Sequence, residues 1–166
     1  MKLRQSLAEL ANACDGDLMK KKLTTYLTLV CFLFISSANA QQKVRVEKDL
    51  LGEKQVPADA YYGVQTARAL ENFKISGLLI NHYPGFVEAW AIVKLAAARA
   101  NTEVGAMKPD RLAAIEKAAQ AVIGGKYHDQ FLVDWYQGGA GTSTNMNANE
   151  VLANIGLELS GHKKGE

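Results

Sequence analysis

Residues 84–104 read PGFVEAWAIVKLAAARANTEV, the strongest helical pattern in the chain. Apolar residues recur in it at spacings of three and four, as one face of an α-helix requires, and its many alanines raise the helix propensity further. The predicted inward face consists of Phe86, Trp90, Val93, Ala97, Ala100 and Val104. This stretch therefore predicts a long amphipathic helix in a mainly helical protein.

Two more helices are predicted towards the C-terminus. The first begins at Pro109 and Asp110, which form a helix-start signal, and ends at Gly124-Gly125. The second extends from about Met146 to Leu159, with Gly161 as its stop. Their predicted inward faces are Leu112, Ile115, Ala119 and Val122 in the first helix, and Val151, Leu152, Ile155 and Leu159 in the second.

The N-terminal side of residues 41–166 differs in pattern. Val44 to Glu47 alternate apolar and charged, which predicts one short strand or an extended arm, and Gly52 and Pro57 indicate turns after it. The pattern becomes helical from Tyr62 through Leu70. With 166 residues, the chain is long enough for one domain. The predicted fold class is mainly α with a short N-terminal β element.

The leader is the clearest local signal. Met19 precedes three lysines, residues 23–35 form an apolar run without charge, and residues 36–40 end in an A-x-A pattern. This order is typical of a secretory signal peptide, and the run is shorter than the roughly 20 residues of a membrane span. We expect cleavage between Ala40 and Gln41, a periplasmic or secreted product, and no stable membrane anchor. Residues 1–18 are interpreted as an upstream extension from a mis-assigned start, residues 19–40 as the signal peptide, and residues 41–166 as the domain.

Charge, cysteines and histidines exclude several function classes. The net charge of +2 lies entirely in residues 1–40, and 14 basic and 14 acidic residues remain from residue 41 onward. Without a basic stripe, nucleic acid is not an expected partner. Cys14 and Cys31 both lie in the leader, so we expect neither a disulfide framework nor thiolate chemistry. The histidines have no metal-ligand spacing and predict no metal site; they are His82, His128 and His162.

A glycine-rich loop precedes the last helix, and residues 137–145 read QGGAGTSTN. Three glycines in four positions allow the backbone to approach a ligand closely. The unpaired N–H groups and positive end of a helix favour an anion, so the segment predicts a pocket for a carboxylate or phosphate. The alternative is a tight loop in which Ser143, Thr144 or Asn145 only caps the helix. Nucleotide motifs do not fit, because no lysine follows the last glycine and Thr144 stands where a third glycine is needed.

The last helix carries Asn145, Asn147, Asn149 and Asn154. Asparagine is a poor helix former, so four of them in ten residues suggest polar groups that face a site. Asn147 and Asn154 are seven residues apart and share a face. Capping combined with solvent exposure is the alternative explanation.

Two segments resemble the aspartase/fumarase superfamily. Residues 56–66, VPADAYYGVQT, together with residues 68–73, RALENF, resemble the opening of that superfamily. Residues 139–154, GAGTSTNMNANEVLAN, resemble its first conserved substrate segment, and the resemblance extends over residues 44–166. Fumarases usually have WGAQT and GSGTQSN where this chain has YYGVQT and GAGTSTN, so the aspartase branch is favoured.

The resemblance implies reversible deamination of L-aspartate to fumarate and ammonia, without a cofactor, by a homotetramer that binds a small dicarboxylate. It implies an anti elimination in which a base removes a proton, and preorganised donors stabilise the resulting enediolate-like charge. Substrate-carboxylate binding carries over by position to Gly141, Thr142, Ser143 and Asn145.

Other superfamily features do not occur in these 166 residues. They are a second substrate segment, a Thr-His motif, a mobile loop that carries the base, and the long helical bundle. We therefore assign no catalytic base. Residues 41–166 are interpreted as the N-terminal domain of the fumarase/aspartase fold, truncated before the central helical bundle. We expect this chain to be inactive by itself. The alternatives are a class II fumarase-like chain and a non-catalytic exported helical domain that binds dicarboxylates or a partner.

Overall fold

The computed structural model describes residues 43–166. The predicted upstream extension, the signal peptide and both cysteines lie outside the described residues. The elements are β1 Val44–Asp49, β2 Gly52–Pro57, α1 Val64–Asn72, α2 Phe86–Glu103, α3 Pro109–Ile123 and α4 Thr142–Leu159, with 3-10 turns at Ile80–His82 and His128–Gln130. The prediction of a mainly helical fold with a short N-terminal β element is confirmed. No helix in this part of the chain has the length and apolar character needed to cross a membrane.

The β element is a hairpin rather than one strand. β1 and β2 pair antiparallel from Val44↔Pro57 to Asp49↔Gly52, so the turn between them has two residues. Gly52 closes that turn with φ +108°, a conformation that suits glycine. The sequence did not predict β2, because Val56 is its only fully buried apolar side chain. A single apolar residue gives no alternating pattern.

Helix α1 is capped by side chains from other elements. Its N-cap residue, Gly63, has no side chain to offer, and the Glu150 carboxylate of α4 accepts three backbone N–H bonds of 2.8–3.0 Å instead. Glu47 of β1 accepts a fourth, from Val64, at 2.8 Å. Two carboxylates thus satisfy the positive end of the helix. A Cβ atom on Gly63 would lie 2.6 Å from Glu47 Oε2, so glycine is required there for space.

The predicted inward face of α2 is wrong at four of its six positions. Val93 and Val104 are 56% and 77% exposed, and Ala97 and Ala100 are exposed as well; Phe86 and Trp90 do pack against the core. The buried residues are Val87, Ala91, Leu95 and Ala98. Because apolar residues surround most of this helix, its periodicity fits more than one face. Packing against α3 and α4 then selects the face that is buried.

The core lies where α2, α3 and α4 meet. Helix α3 starts and ends as predicted, at Pro109 and before Gly124-Gly125. Helix α4 begins at Thr142, four residues before the predicted start, and Leu159 at its end is 49% exposed rather than inward. The shared core includes Ala118, Ala119, Val122, Phe131, Val133, Val151, Leu152 and Ile155.

Candidate functional site

The glycine-rich loop leads directly into α4. Gly139 and Gly141 have φ values of +37° and +66°, which glycine adopts at little cost. Gly141 is the N-cap residue, and no side chain caps the helix. Ser143, Thr144 and Asn145 lie inside the first turn, so the interpretation that one of them is the N-cap is wrong.

The first turn of α4 presents unpaired donors. Its first backbone bond runs from Asn145 N to Gly141 O at 3.3 Å. Within residues 43–166, the backbone N–H groups of Thr142, Ser143 and Thr144 donate to no protein acceptor. These groups and the helix dipole make this end of α4 electropositive, which suits a carboxylate.

A cleft of about 560 Å³ opens beside this turn. Its lining residues are Ile80, Phe86, Trp90, Trp135, Gln137, Gly139, Ala140, Gly141, Thr144 and Asn145. Two of the four predicted substrate-binding residues, Gly141 and Asn145, therefore line the cleft. Thr142 and Ser143 lie on the same helical turn but are not among its lining residues. Thr144, which is buried, lines the cleft and was not assigned.

Aromatic side chains form a second wall of the cleft. Trp135 stacks on Tyr83 with ring centroids 3.8 Å apart and meets the edge of Phe86 at 5.1 Å. The sequence assigned Phe86 and Trp90 to the core face of α2; both are half-buried, pack against the core and also line the cleft. Helical periodicity cannot distinguish a core residue from a residue that faces a cleft, and no motif marked Trp135.

Asp134 holds this wall in place. Its buried carboxylate accepts backbone N–H bonds from residues 75, 76, 77 and 136 and a 2.8 Å bond from Ser76 Oγ. Burial alone would raise the pKa of Asp134, but the bonds from Ser76, Tyr136 and Gly77 outweigh it and hold that pKa well below its usual range. The carboxylate thereby fixes the backbone next to Trp135.

Gln137 brings a polar group to the same wall. Its Nε2 donates to Asp134 O at 2.7 Å, so Oε1 points away from that carbonyl group. Oε1 is buried and has no hydrogen-bond partner within residues 43–166. Most buried polar atoms in proteins have such a partner, so Gln137 Oε1 is an unpaired acceptor buried in a residue of the cleft lining.

The cleft can bind an anion, but its lining offers no acid or base. None of the ten lining residues has an ionisable side chain, and no group of three or more His, Cys, Asp or Glu residues within residues 43–166 could hold a metal ion. The donors available are amide, hydroxyl, indole and backbone N–H groups. Their chemistry is that of binding and orienting a carboxylate.

Two asparagines of α4 stabilise the fold instead of facing a ligand. Asn147 is fully buried, accepts from Leu132 N and donates to Gln130 O, both at 3.0 Å. Asn154 donates to Tyr61 O and accepts from Gly165 N, both at 2.8 Å. Both the ligand-facing and the solvent-exposed interpretations are therefore wrong for these two residues.

A protein-family model described as a lyase matches residues 52–165. The chain belongs to this lyase family. Similar proteins include the aspartate ammonia-lyases of Pseudomonas aeruginosa, 61% identical over 74% of this chain, and of Bacillus subtilis, 56% identical over 77% of it. Each alignment covers 26% of the relative, so the chain spans about a quarter of the length of these relatives.

Solved lyase structures share the fold. A fumarate lyase:delta crystallin structure from Brucella melitensis is 50% identical with a TM-score of 0.72, covering 74% of this chain and 29% of that one. A class II fumarase from Schistosoma mansoni is 38% identical with a TM-score of 0.68, covering 75% and 26%. The predicted superfamily is confirmed, and the identities to aspartate ammonia-lyases favour its aspartase branch over the fumarase alternative.

Proposed function

We propose that residues 43–166 form a substrate-carboxylate-binding part of an aspartate ammonia-lyase, which converts L-aspartate reversibly into fumarate and ammonia. The observation that carries the proposal is the cleft at the first turn of α4. There, three backbone N–H groups have no acceptor among the described residues, and Gly141 and Asn145 line the space beside them. Identities of 56–61% to aspartate ammonia-lyases support this activity over a fumarase or a non-catalytic domain.

In this role the loop binds and orients a carboxylate while the charge of the intermediate develops. Fixed donors stabilise such charge without reorganising during the reaction. The hydroxyl of Thr142, the Ser143 side chain and the Asn145 amide are the proposed side-chain donors, together with the free backbone N–H groups of residues 142–144. Gly141 contributes by lining the space beside them. We also propose that the complete enzyme is a homotetramer, as the superfamily resemblance implies; the exposed Ile92 and Val93 of α2 are apolar side chains that a neighbouring subunit would cover.

The test uses residues 43–166 in place of the matching segment of the Pseudomonas aeruginosa aspartate ammonia-lyase. Thr142→Val keeps the side-chain shape and removes one hydroxyl donor. Loss of a hydrogen bond to a charged group costs about 1.5–3 kcal/mol, so we expect kcat/KM to fall about ten- to a hundred-fold, with an unchanged Tm.

The matched control is Thr102→Val, which removes a hydroxyl that bonds to Ala98 O within α2, away from the cleft. We expect this variant to retain full kcat/KM. If Thr142→Val instead lowers Tm and leaves the kinetics intact, the loop is structural and the proposal is wrong.

A further inference from the structure

Lys94 lies directly behind the cleft, on α2. Its ammonium group donates a hydrogen bond to Asn145 Oδ1 and lies 5.2 Å from the centroid of the Trp90 ring. Asn145 and Trp90 both line the cleft, whereas Lys94 does not. One cation therefore contacts two residues of the cleft lining from the outside.

The charge of Lys94 has no partner of opposite sign in the described part of the chain. The ion pairs there use other cations: Arg45, Lys54, Arg68, Arg99, His162 and Lys164. Burial lowers the pKa of Lys94, because desolvation disfavours the charged form. A partly buried and uncompensated cation is stabilised when an anion occupies the neighbouring space.

The hydrogen bond also fixes the direction of the Asn145 amide. Because Oδ1 accepts from Lys94, Nδ2 lies on the other branch of the amide, and Nδ2 makes no hydrogen bond to any described residue. A cation on the oxygen polarises the amide and makes its N–H groups stronger donors. Without Lys94 the two ends of the amide could exchange places, and the oxygen would then face an incoming carboxylate.

We propose that Lys94 is a positioning residue for substrate binding: it holds the Asn145 amide with Nδ2 towards the cleft and supplies positive charge behind it. The inference rests on the proposed function, since it concerns the same cleft. It explains how a cleft without a charged lining residue attracts a dicarboxylate. The charge is one hydrogen bond away from the cleft lining.

The experiment titrates fumarate into the full 166-residue chain, uniformly labelled with ¹⁵N, and follows ¹H–¹⁵N resonances. The Asn145 side-chain signals are assigned by their absence in Asn145→Ala. Fumarate should shift these signals and the backbone amides of residues 142–144. Lys94→Met should move the Asn145 side-chain signals in the free protein and raise the fumarate Kd roughly ten-fold, as for the loss of a charge-assisted hydrogen bond. Lys94→Arg, which keeps the charge and a donor, should restore most of the affinity.

The control is Lys117→Met, which removes the same charge from an exposed position of α3 and should leave the Kd unchanged. In an Asn145→Ala background, Lys94→Met should weaken binding less than in the wild type, because only the positive charge of Lys94, and no amide orientation, is then lost. Lys94→Gln replaces Lys94→Met if the latter does not fold.

Different results would contradict the role of Lys94 and the proposed function. Fumarate shifts at residues 142–144 with equal Kd values in the wild type and in Lys94→Met would overturn the role of Lys94 and leave the proposed function standing. The absence of any fumarate shift in the cleft would overturn both.

Discussion

Asp134 illustrates how a single residue organises the cleft without entering it. Its carboxylate accepts bonds from the backbone of residues 75–77 and from Tyr136 N, so it ties two loops together next to Trp135. Those bonds need a charged carboxylate, because every group around it donates. The residue is thus a structural prerequisite for the aromatic wall.

This arrangement predicts a specific pH dependence. The pKa of folded Asp134 lies below the ordinary value of 3.8, so its contribution to stability is fully present above that value and is lost as the pH falls through the folded pKa. Asp134→Asn should lower Tm by several degrees at neutral pH and flatten the dependence of Tm on pH below about 4. The measurement is thermal unfolding by circular dichroism between pH 2 and pH 7, a range that brackets the ordinary carboxyl pKa.

Asp59→Asn is the matched control, because Asp59 is exposed and its carboxylate accepts no bond from another described residue. It should leave both Tm and its pH dependence close to those of the wild type. Equal behaviour of the two variants would contradict the structural role of Asp134.

At the scale of elements, α4 does two separate tasks with different residues. Its first turn forms the edge of the cleft, whereas Asn147, Glu150 and Asn154 further along bind backbone groups of neighbouring segments. The helix is therefore the element on which α1, the segment at Tyr61 and the loop around Leu132 are fixed. Polar residues in its middle are needed for the fold and do not indicate a larger ligand site.

Asn147→Ala tests this division. It leaves Leu132 N and Gln130 O without partners beside the fully buried Asn147 position. Since an unpaired buried group costs about 1–3 kcal/mol, we expect the free energy of unfolding to fall by about 2 kcal/mol. Asn149→Ala, on the same helix, removes only a 3.8 Å contact with the Met146 sulfur and should stay within about 0.5 kcal/mol of the wild type. The measurement is urea unfolding of both variants. If Asn147→Ala weakens fumarate binding without loss of stability, Asn147 contacts the ligand and its structural role is contradicted.

At the scale of the whole molecule, the leader and the lyase domain support two independent inferences, one about location and one about family. Residues 52–165 belong to a lyase family, and that assignment says nothing of where the protein resides. Export rests on the pattern of residues 19–40 alone, with three lysines, an apolar run and an A-x-A end.

We predict that the chain is exported and cleaved between Ala40 and Gln41, because small residues at positions 38 and 40 fit a signal-peptidase site. N-terminal sequencing of the exported product should begin at Gln41. The variant Ala40→Leu should block cleavage and leave the precursor in the membrane fraction. A soluble cytoplasmic product that retains Met19 would show that the segment is not a signal peptide.

The sequence by itself determined the helices, the family and the approximate place of the cleft. Periodicity located α3, because regular burial on one side of a helix leaves a repeat that can be counted. Apolar spacing together with many alanines located α2, but did not identify its buried face. The glycine-rich loop was recognisable because close approach and positive φ values restrict those positions to glycine. Glycines 139 and 141 do have such angles.

Only the tertiary structure decided which face of α2 is buried, which asparagines hold the fold, and which side chains surround the cleft. These outcomes depend on neighbours distant in sequence: Asn147 pairs with residues 130 and 132, and Glu150 with residues 63, 65 and 66. The contact between Lys94 and Asn145 joins positions 51 residues apart. A local sequence pattern reflects the spacing of apolar residues along one element. It carries no information about a hydrogen-bond partner on another element, because such pairs form only when the helices pack.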